Sequence, residues 1–103
     1  IGLKYCAHDE AIYREIVMVY CEDYEEKRQK MQDSFSEKNW KNYVTLVHSL
    51  KSSSLNVGGV VLSEMAAEME KAGKAGNFAY LMQHHEELMK MYQSTVEEVK
   101  RQF

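Results

Sequence analysis

The feature that most constrains this chain is the complete absence of proline from its 103 residues. Proline breaks helices because its ring fixes φ and removes the amide hydrogen that a helix needs. Apolar residues recur here with the spacing of one helix face, and no stretch shows the apolar–polar alternation of a half-buried strand. The sequence therefore predicts an all-α protein.

The apolar repeat divides the chain into helical segments. They cover approximately residues 9–21, 23–38, 40–57, 60–74 and 78–101, the first two being also compatible with one long bent helix. Asp9, Asn39 and Asn77 stand at N-cap positions, where a side chain accepts a backbone N–H bond. Because the connections are short, neighbouring helices should run antiparallel. We expect residues 1–103 to form one domain, an antiparallel up-down-up-down four-helix bundle with an additional N-terminal helical segment.

Glycines and apolar faces refine this prediction. Gly58-Gly59 should end the third helix, and Gly73 with Gly76 the fourth, because glycine accepts the left-handed conformation of a C-terminal cap. The residues expected to face the core on the first helix are Ile12, Ile16, Val19 and Tyr20. Those expected on the fifth helix are Phe78, Leu81, His85, Leu88, Tyr92, Val96, Val99 and Phe103.

Charge and composition exclude several classes of protein. The formal net charge is −3 and basic residues alternate with acidic ones, so the chain lacks the basic face of a nucleic-acid-binding protein. No apolar run approaches the ~20 residues that span a bilayer, and the first residues show no signal-peptide pattern. Cys6 and Cys21 fit a reducing cytoplasm, although one disulfide stays open as an alternative. Because the chain begins with Ile1, we expect a domain of a longer protein or a chain that has lost its start residue.

One histidine of the third helix lies off its apolar face. With ~100° per residue and Leu50 at zero, the face within about 60° comprises Tyr43, Leu46, Val47, Ser54 and Val57. His48 falls at about 160° and should face solvent. Its helical neighbours are Val44, Lys51, Ser52 and Leu55, and Lys41 lies one further turn away. We expect Lys51 to lean back over the imidazole, where its ammonium can pair with an anion. The small Ser52 and the apolar Val44 and Leu55 beside the imidazole are typical of a docking patch for a partner protein. From periodicity alone, an ordinary surface histidine remains the alternative.

The segment from His48 to Gly58 reads His-Ser-Leu-Lys-Ser-Ser-Ser-Leu-Asn-Val-Gly and resembles the signature of the histidine phosphotransfer (HPt) family. That signature is His-x-Leu-Lys-Gly, then Ser/Ala-rich residues, then Asn-Ile/Val-Gly at the helix end. The likeness continues through Asn39-Trp40 and through residues 62–63 and 66–72, and so covers essentially the whole chain. It implies that His48 is the phosphoacceptor and that Lys51 helps to hold the phosphoryl group. Ser52 replaces the usual glycine, which we expect to affect rate and partner choice more than the activity itself.

The resemblance implies a phosphorelay intermediate of two-component signalling. Such a domain accepts a phosphoryl group from the aspartate of a response-regulator receiver domain, which carries the divalent metal, and passes it to another receiver. We therefore expect no cofactor, metal or ATP site in this chain. We also expect a cytoplasmic monomer, either free or as a domain of a bacterial hybrid sensor histidine kinase. The alternative, from another functional class, is a non-catalytic helical adaptor that binds a receiver without phosphotransfer.

Two further patterns favour structural interpretations. The adjacent His84 and His85 suggest a metal site, but they point about 100° apart and lack the Glu-x-x-His pairs of di-iron bundles. We expect His85 to be a hydrogen-bonded core residue and His84 an ordinary surface residue. The methionines of the last two helices are interpreted as core packing rather than as a peptide groove; they are Met65, Met69, Met82, Met89 and Met91.

Overall fold

All regular secondary structure in the described part of the chain is helical. A computed structural model describes residues 10–102. Its helices are α1 (Glu10–Glu22), α2 (Tyr24–Ser36), α3 (Trp40–Asn56), α4 (Val60–Lys74) and α5 (Phe78–Arg101). The prediction of an all-α bundle with an additional N-terminal helix is therefore confirmed.

Helices α1 and α2 meet at Asp23 with almost no interruption. The Asp23 amide donates to the Val19 carbonyl and the Lys27 amide to the Asp23 carbonyl, each at 2.9 Å, so the helical hydrogen bonds continue through the junction. Helix α2 ends at Ser36, earlier than predicted, because the chain turns at Lys38, whose φ is 56°. The predicted cap Asp9 lies outside the described residues.

The other helix ends follow the expected chemistry. The side chains of Asn39 and Asn77 accept the backbone N–H of the third residue onward, each at 3.3 Å, which confirms both N-caps. Gly58 and Gly76 adopt φ values of 82° and 76°, as helix-ending glycines do. Gly73 differs from the prediction, because it lies inside α4.

One core joins the helices. The buried face of α3 consists of Tyr43, Val47, Leu50 and Ser54, with Val57 just beyond, as predicted; Leu46 is half-buried. The predicted face of α1 is partly wrong. Tyr13, Val17 and Tyr20 face the core, whereas Ile12 and Val19 are exposed.

The buried face of α5 matches the prediction from Leu81 to Val99, but Phe78 is exposed at its edge and Phe103 lies outside the described residues. Met69 and Met89 are buried as interpreted, whereas Met82 is exposed. Within residues 10–102, no helix combines the length and apolar character needed to cross a membrane.

Candidate functional site

His48 lies on the solvent-facing side of α3, as periodicity predicted. Its side chain is 59% exposed, while Val47 and Leu50 on either side are fully buried. The same helix that packs the core therefore presents this imidazole to solvent. The structure confirms this orientation, while the role of His48 stays a prediction.

A buried carboxylate from α4 holds this imidazole in place. Glu70 is 5% exposed, and its Oε2 lies 2.5 Å from His48 Nδ1. Its Oε1 accepts a hydrogen bond from Lys51 Nζ at 2.7 Å, and Lys74 Nζ lies 3.1 Å from Oε2. Glu70 is thus the common partner of three basic side chains on two helices. We call these four residues, His48, Lys51, Glu70 and Lys74, the Glu70 cluster.

The charge state of Glu70 fixes the roles of the imidazole nitrogens. The hydrogen bond from Lys51 is the largest influence, and together with Lys74 and His48 it outweighs burial and lowers the pKa of Glu70 to about 2. An ionised carboxylate only accepts hydrogen bonds, so His48 Nδ1 must carry the donated proton. In the neutral ring the other nitrogen, Nε2, then carries the lone pair. Nε2 forms no hydrogen bond within residues 10–102.

Lys51 occupies a different position from the one predicted. Its ammonium pairs with Glu70 across the α3–α4 interface instead of leaning over the imidazole alone. The backbone beside it is also tied down, because Ser63 Oγ donates to the Lys51 carbonyl at 2.9 Å. On the other side of His48, Lys27 Nζ of α2 donates to Ser49 Oγ at 3.0 Å. The phosphoacceptor candidate therefore sits on a fixed segment of helix.

The predicted docking residues are distributed along α3 around His48. Lys41 is exposed and Val44 half-buried, and both line a groove of about 380 Å³. The other residues that line it are Trp40, Thr45, Gly73, Lys74 and Phe78. On the other side of His48 in the chain, Ser52 is exposed and Leu55 is half-buried rather than fully exposed.

Sequence reasoning missed Glu70 as a site residue, noting it only within the stretch that resembles the family. A signal was present in the helical spacing. Glu70 follows Ala66 by four positions and Ser63 by seven, and both of these residues are buried. An acid on the buried face of a helix needs a partner, because an unpaired buried charge is strongly unfavourable.

Of the adjacent histidines His84 and His85, His85 takes the predicted role of a hydrogen-bonded core residue. His85 is buried, stacked on Phe35 at 3.9 Å between ring centroids, and hydrogen-bonded to Tyr43 Oη at 2.7 Å and Gln32 Oε1 at 2.8 Å. Burial lowers the pKa of His85 below the ordinary histidine value, which favours the neutral ring. His84 is half-buried, 3.4 Å from Glu87 and beside Tyr80. Among the described residues, no three His, Cys, Asp or Glu side chains are placed to hold a metal ion.

Comparisons with known proteins bear on this site as a whole. Residues 15–101 match the family described as Hpt domain. The matched range contains every residue of the Glu70 cluster and all four docking candidates. No curated protein and no solved structure gives a significant match.

Proposed function

Because the chain belongs to the Hpt domain family, whose members are phosphocarriers of two-component signalling, we propose that His48 is its phosphoacceptor. It accepts a phosphoryl group from a receiver-domain aspartate and passes it to another receiver. The observation that carries this proposal is the exposed imidazole whose Nδ1 is tied to the buried, ionised carboxylate of Glu70. That arrangement leaves one nitrogen, Nε2, directed away from the carboxylate.

The transfer step follows from this assignment. The lone pair of Nε2 attacks the phosphorus of the aspartyl phosphate, the new N–P bond forms, and the P–O bond to the aspartate breaks. The bonding electrons leave with the aspartate carboxylate. The ring becomes cationic, and its Nδ1 proton stays on the hydrogen bond to Glu70. Return of the phosphoryl group to another receiver reverses each change.

Lys51 contributes to this transfer through its positive charge. Its ammonium lies within the Glu70 cluster one turn from His48, where it favours the negative phosphoryl oxygens. The receiver supplies the divalent metal and most of the electrostatic stabilisation of the transition state. Lys51 therefore contributes from the side of the acceptor, and its removal should slow the transfer without abolishing it.

Docking of the receiver takes place around His48. Lys41, Val44, Ser52 and Leu55 form the proposed contact surface, with a polar or cationic residue and an apolar residue on each side of the imidazole. Because the side chain of Ser52 is small, it leaves room beside the imidazole for the aspartyl phosphate to approach Nε2. We propose that the domain acts as a cytoplasmic monomer, and that it relays phosphoryl groups for a hybrid histidine kinase.

The decisive experiment is phosphotransfer from a panel of phosphorylated receiver domains to the wild type and to His48→Gln. We expect acid-labile label on the wild type and none on the variant. His84→Gln is the matched control, since that histidine lies outside the site, and it should be labelled like the wild type. Receiver binding without label on the wild type would overturn the proposal and leave the helical adaptor as the function.

A further inference from the structure

Lys74 is the member of the Glu70 cluster to which neither the helical pattern nor the family resemblance assigned a role. It extends from the last turn of α4, and its ammonium lies 3.1 Å from the same Oε2 that contacts His48 Nδ1. The two nitrogens are therefore near neighbours across one oxygen atom. Lys74 also lines the groove that contains Lys41 and Val44, so it faces the side from which a partner would approach.

The charges of the cluster do not balance before phosphorylation. One carboxylate faces two ammonium groups, and with a neutral imidazole this leaves an excess of one positive charge. Lys51 is only 34% exposed, whereas the Lys74 side chain is 67% exposed. Both lysines share the same buried carboxylate, so the exposure of each ammonium determines how readily it can exchange Glu70 for water or another anion. Lys74 is therefore the cation that leaves Glu70 most easily.

Phosphorylation of Nε2 changes the hydrogen bonding of the Glu70 carboxylate. The phosphorylated ring is a stronger donor at Nδ1, so Oε2 is satisfied by the ring alone. At the same time a group with nearly two negative charges appears on the far side of the imidazole. We propose that Lys74 is a second phosphoryl-binding residue, whose ammonium moves from Glu70 to the phosphoryl group when His48 is phosphorylated. This inference rests on the proposed function of His48.

The test measures the ionisation of the phosphoryl group itself. Wild type, Lys74→Gln and Lys74→Arg are phosphorylated with phosphoramidate, a small donor that needs no partner protein, and the ³¹P resonance is followed against pH. A nearby ammonium lowers the pKa of a phosphoryl group, so Lys74→Gln should raise that pKa by roughly 0.5–1 unit. Lys74→Arg should restore a value near that of the wild type.

Lys71→Gln is the matched control. Lys71 is exposed on the same helix and carries the same charge, yet it makes no ion pair within residues 10–102. Its substitution should leave the phosphoryl pKa close to the wild-type value. Equal pKa shifts in Lys74→Gln and Lys71→Gln, or no shift in either, would refute the role of Lys74 while leaving His48 as the acceptor. Absence of phosphohistidine from the wild type would instead contradict the proposed function, and this inference with it.

Discussion

At the scale of single residues, Glu70 should make stability depend on pH in the acid range. Its pKa falls from 4.5 to about 2 on folding, chiefly through the hydrogen bond from Lys51, so the folded chain binds fewer protons than the unfolded chain between these values. The stabilisation is complete above pH 4.5 and is lost as the pH falls towards 2. We expect Glu70→Gln to lose about 1–3 kcal/mol near neutral pH and much less at pH 2.

Urea unfolding at a series of pH values measures this difference. Glu68→Gln is the control, because Glu68 is an exposed acid two positions away on α4. Its unfolding free energy should follow the wild type at every pH. A constant gap between Glu70→Gln and the wild type from pH 6 to pH 2 would show that the carboxylate does not titrate as inferred.

His85 should produce a second pH dependence, at higher pH. Burial holds its pKa below 6.5, so the unfolded chain binds the extra proton first and stability falls as the pH drops below that value. The loss is at most about 1.4 kcal/mol per pH unit, the limit for one proton. His85→Gln, which keeps a donor and an acceptor for Tyr43 and Gln32, should flatten this part of the stability curve. His84→Gln should not, and an unchanged slope in His85→Gln would contradict the assignment.

The sequence predicted the exposure of His48 and the burial of His85, but it did not predict the Glu70 cluster. The exposure of His48 and the burial of His85 followed from position on one helix, which the period of 3.6 residues determines. The Glu70 cluster depends on contacts between positions 48 and 70, on different helices, and these require the relative placement of α3 and α4. The spacing of Glu70 from buried residues indicated burial, but it did not indicate which bases would neutralise it.

At the scale of the helices, Gly73 controls the approach of α3 to α4. A Cβ at this position would clash with Cγ2 of Val44, whose β-branched side chain is stiff. Gly73→Ala should therefore be destabilising, with about 1–3 kcal/mol of overpacking exceeding a gain of about 1 kcal/mol in helix propensity. In a Val44→Ala background the clash disappears, so the same substitution should stabilise by about 1 kcal/mol.

A double-mutant cycle in urea, with all four proteins measured at one pH, tests this coupling. The sign of the Gly73→Ala effect should reverse between the two backgrounds. Effects of the same sign and size would mean that the change in unfolding free energy caused by Gly73→Ala does not depend on the contact with Val44.

Helix ends and faces show where helical patterns were insufficient. Lys38 adopts a left-handed φ without being glycine, so nothing in its identity marked the end of α2. On α1 the apolar residues occupy more than one face, and the buried face is the one that carries the tyrosines. Tyr13 donates to the Val57 carbonyl at 3.0 Å and Tyr20 shares a 2.9 Å hydrogen bond with Ser54. These partners on or after α3 make burial of both hydroxyl groups favourable, and sequence spacing alone does not reveal them.

At the scale of the whole molecule, the chain should be unable to take a phosphoryl group from ATP by itself. Its sequence contains five glycines and no glycine-rich loop that would cradle the phosphates of ATP. Incubation with radiolabelled ATP and Mg²⁺ should therefore leave the wild type unlabelled, while addition of a phosphorylated receiver should label it. Efficient labelling by ATP alone, lost in His48→Gln, would mean that the bundle is an autokinase.

The helices should also unfold as one unit, because contacts at both ends of the bundle cross between them. Trp40, the one tryptophan of the chain, lies 5.8 Å from Phe35 of α2 and 5.4 Å from Phe78 of α5, between ring centroids. A second contact, the hydrogen bond between Tyr20 and Ser54, joins α1 to α3 at positions separated in the sequence from these aromatic residues. Tryptophan fluorescence and far-UV circular dichroism should therefore report the same urea midpoint.

Tyr20→Phe makes this prediction specific to the attachment of α1. The substitution leaves the buried Ser54 hydroxyl without its partner and should cost about 1–3 kcal/mol. If α1 belongs to the cooperative unit, the fluorescence of Trp40 and the circular dichroism shift together to a lower urea concentration, although Trp40 does not touch Tyr20. If only the circular dichroism shifts, α1 unfolds separately, and the four remaining helices alone form the unit that positions His48 against Glu70.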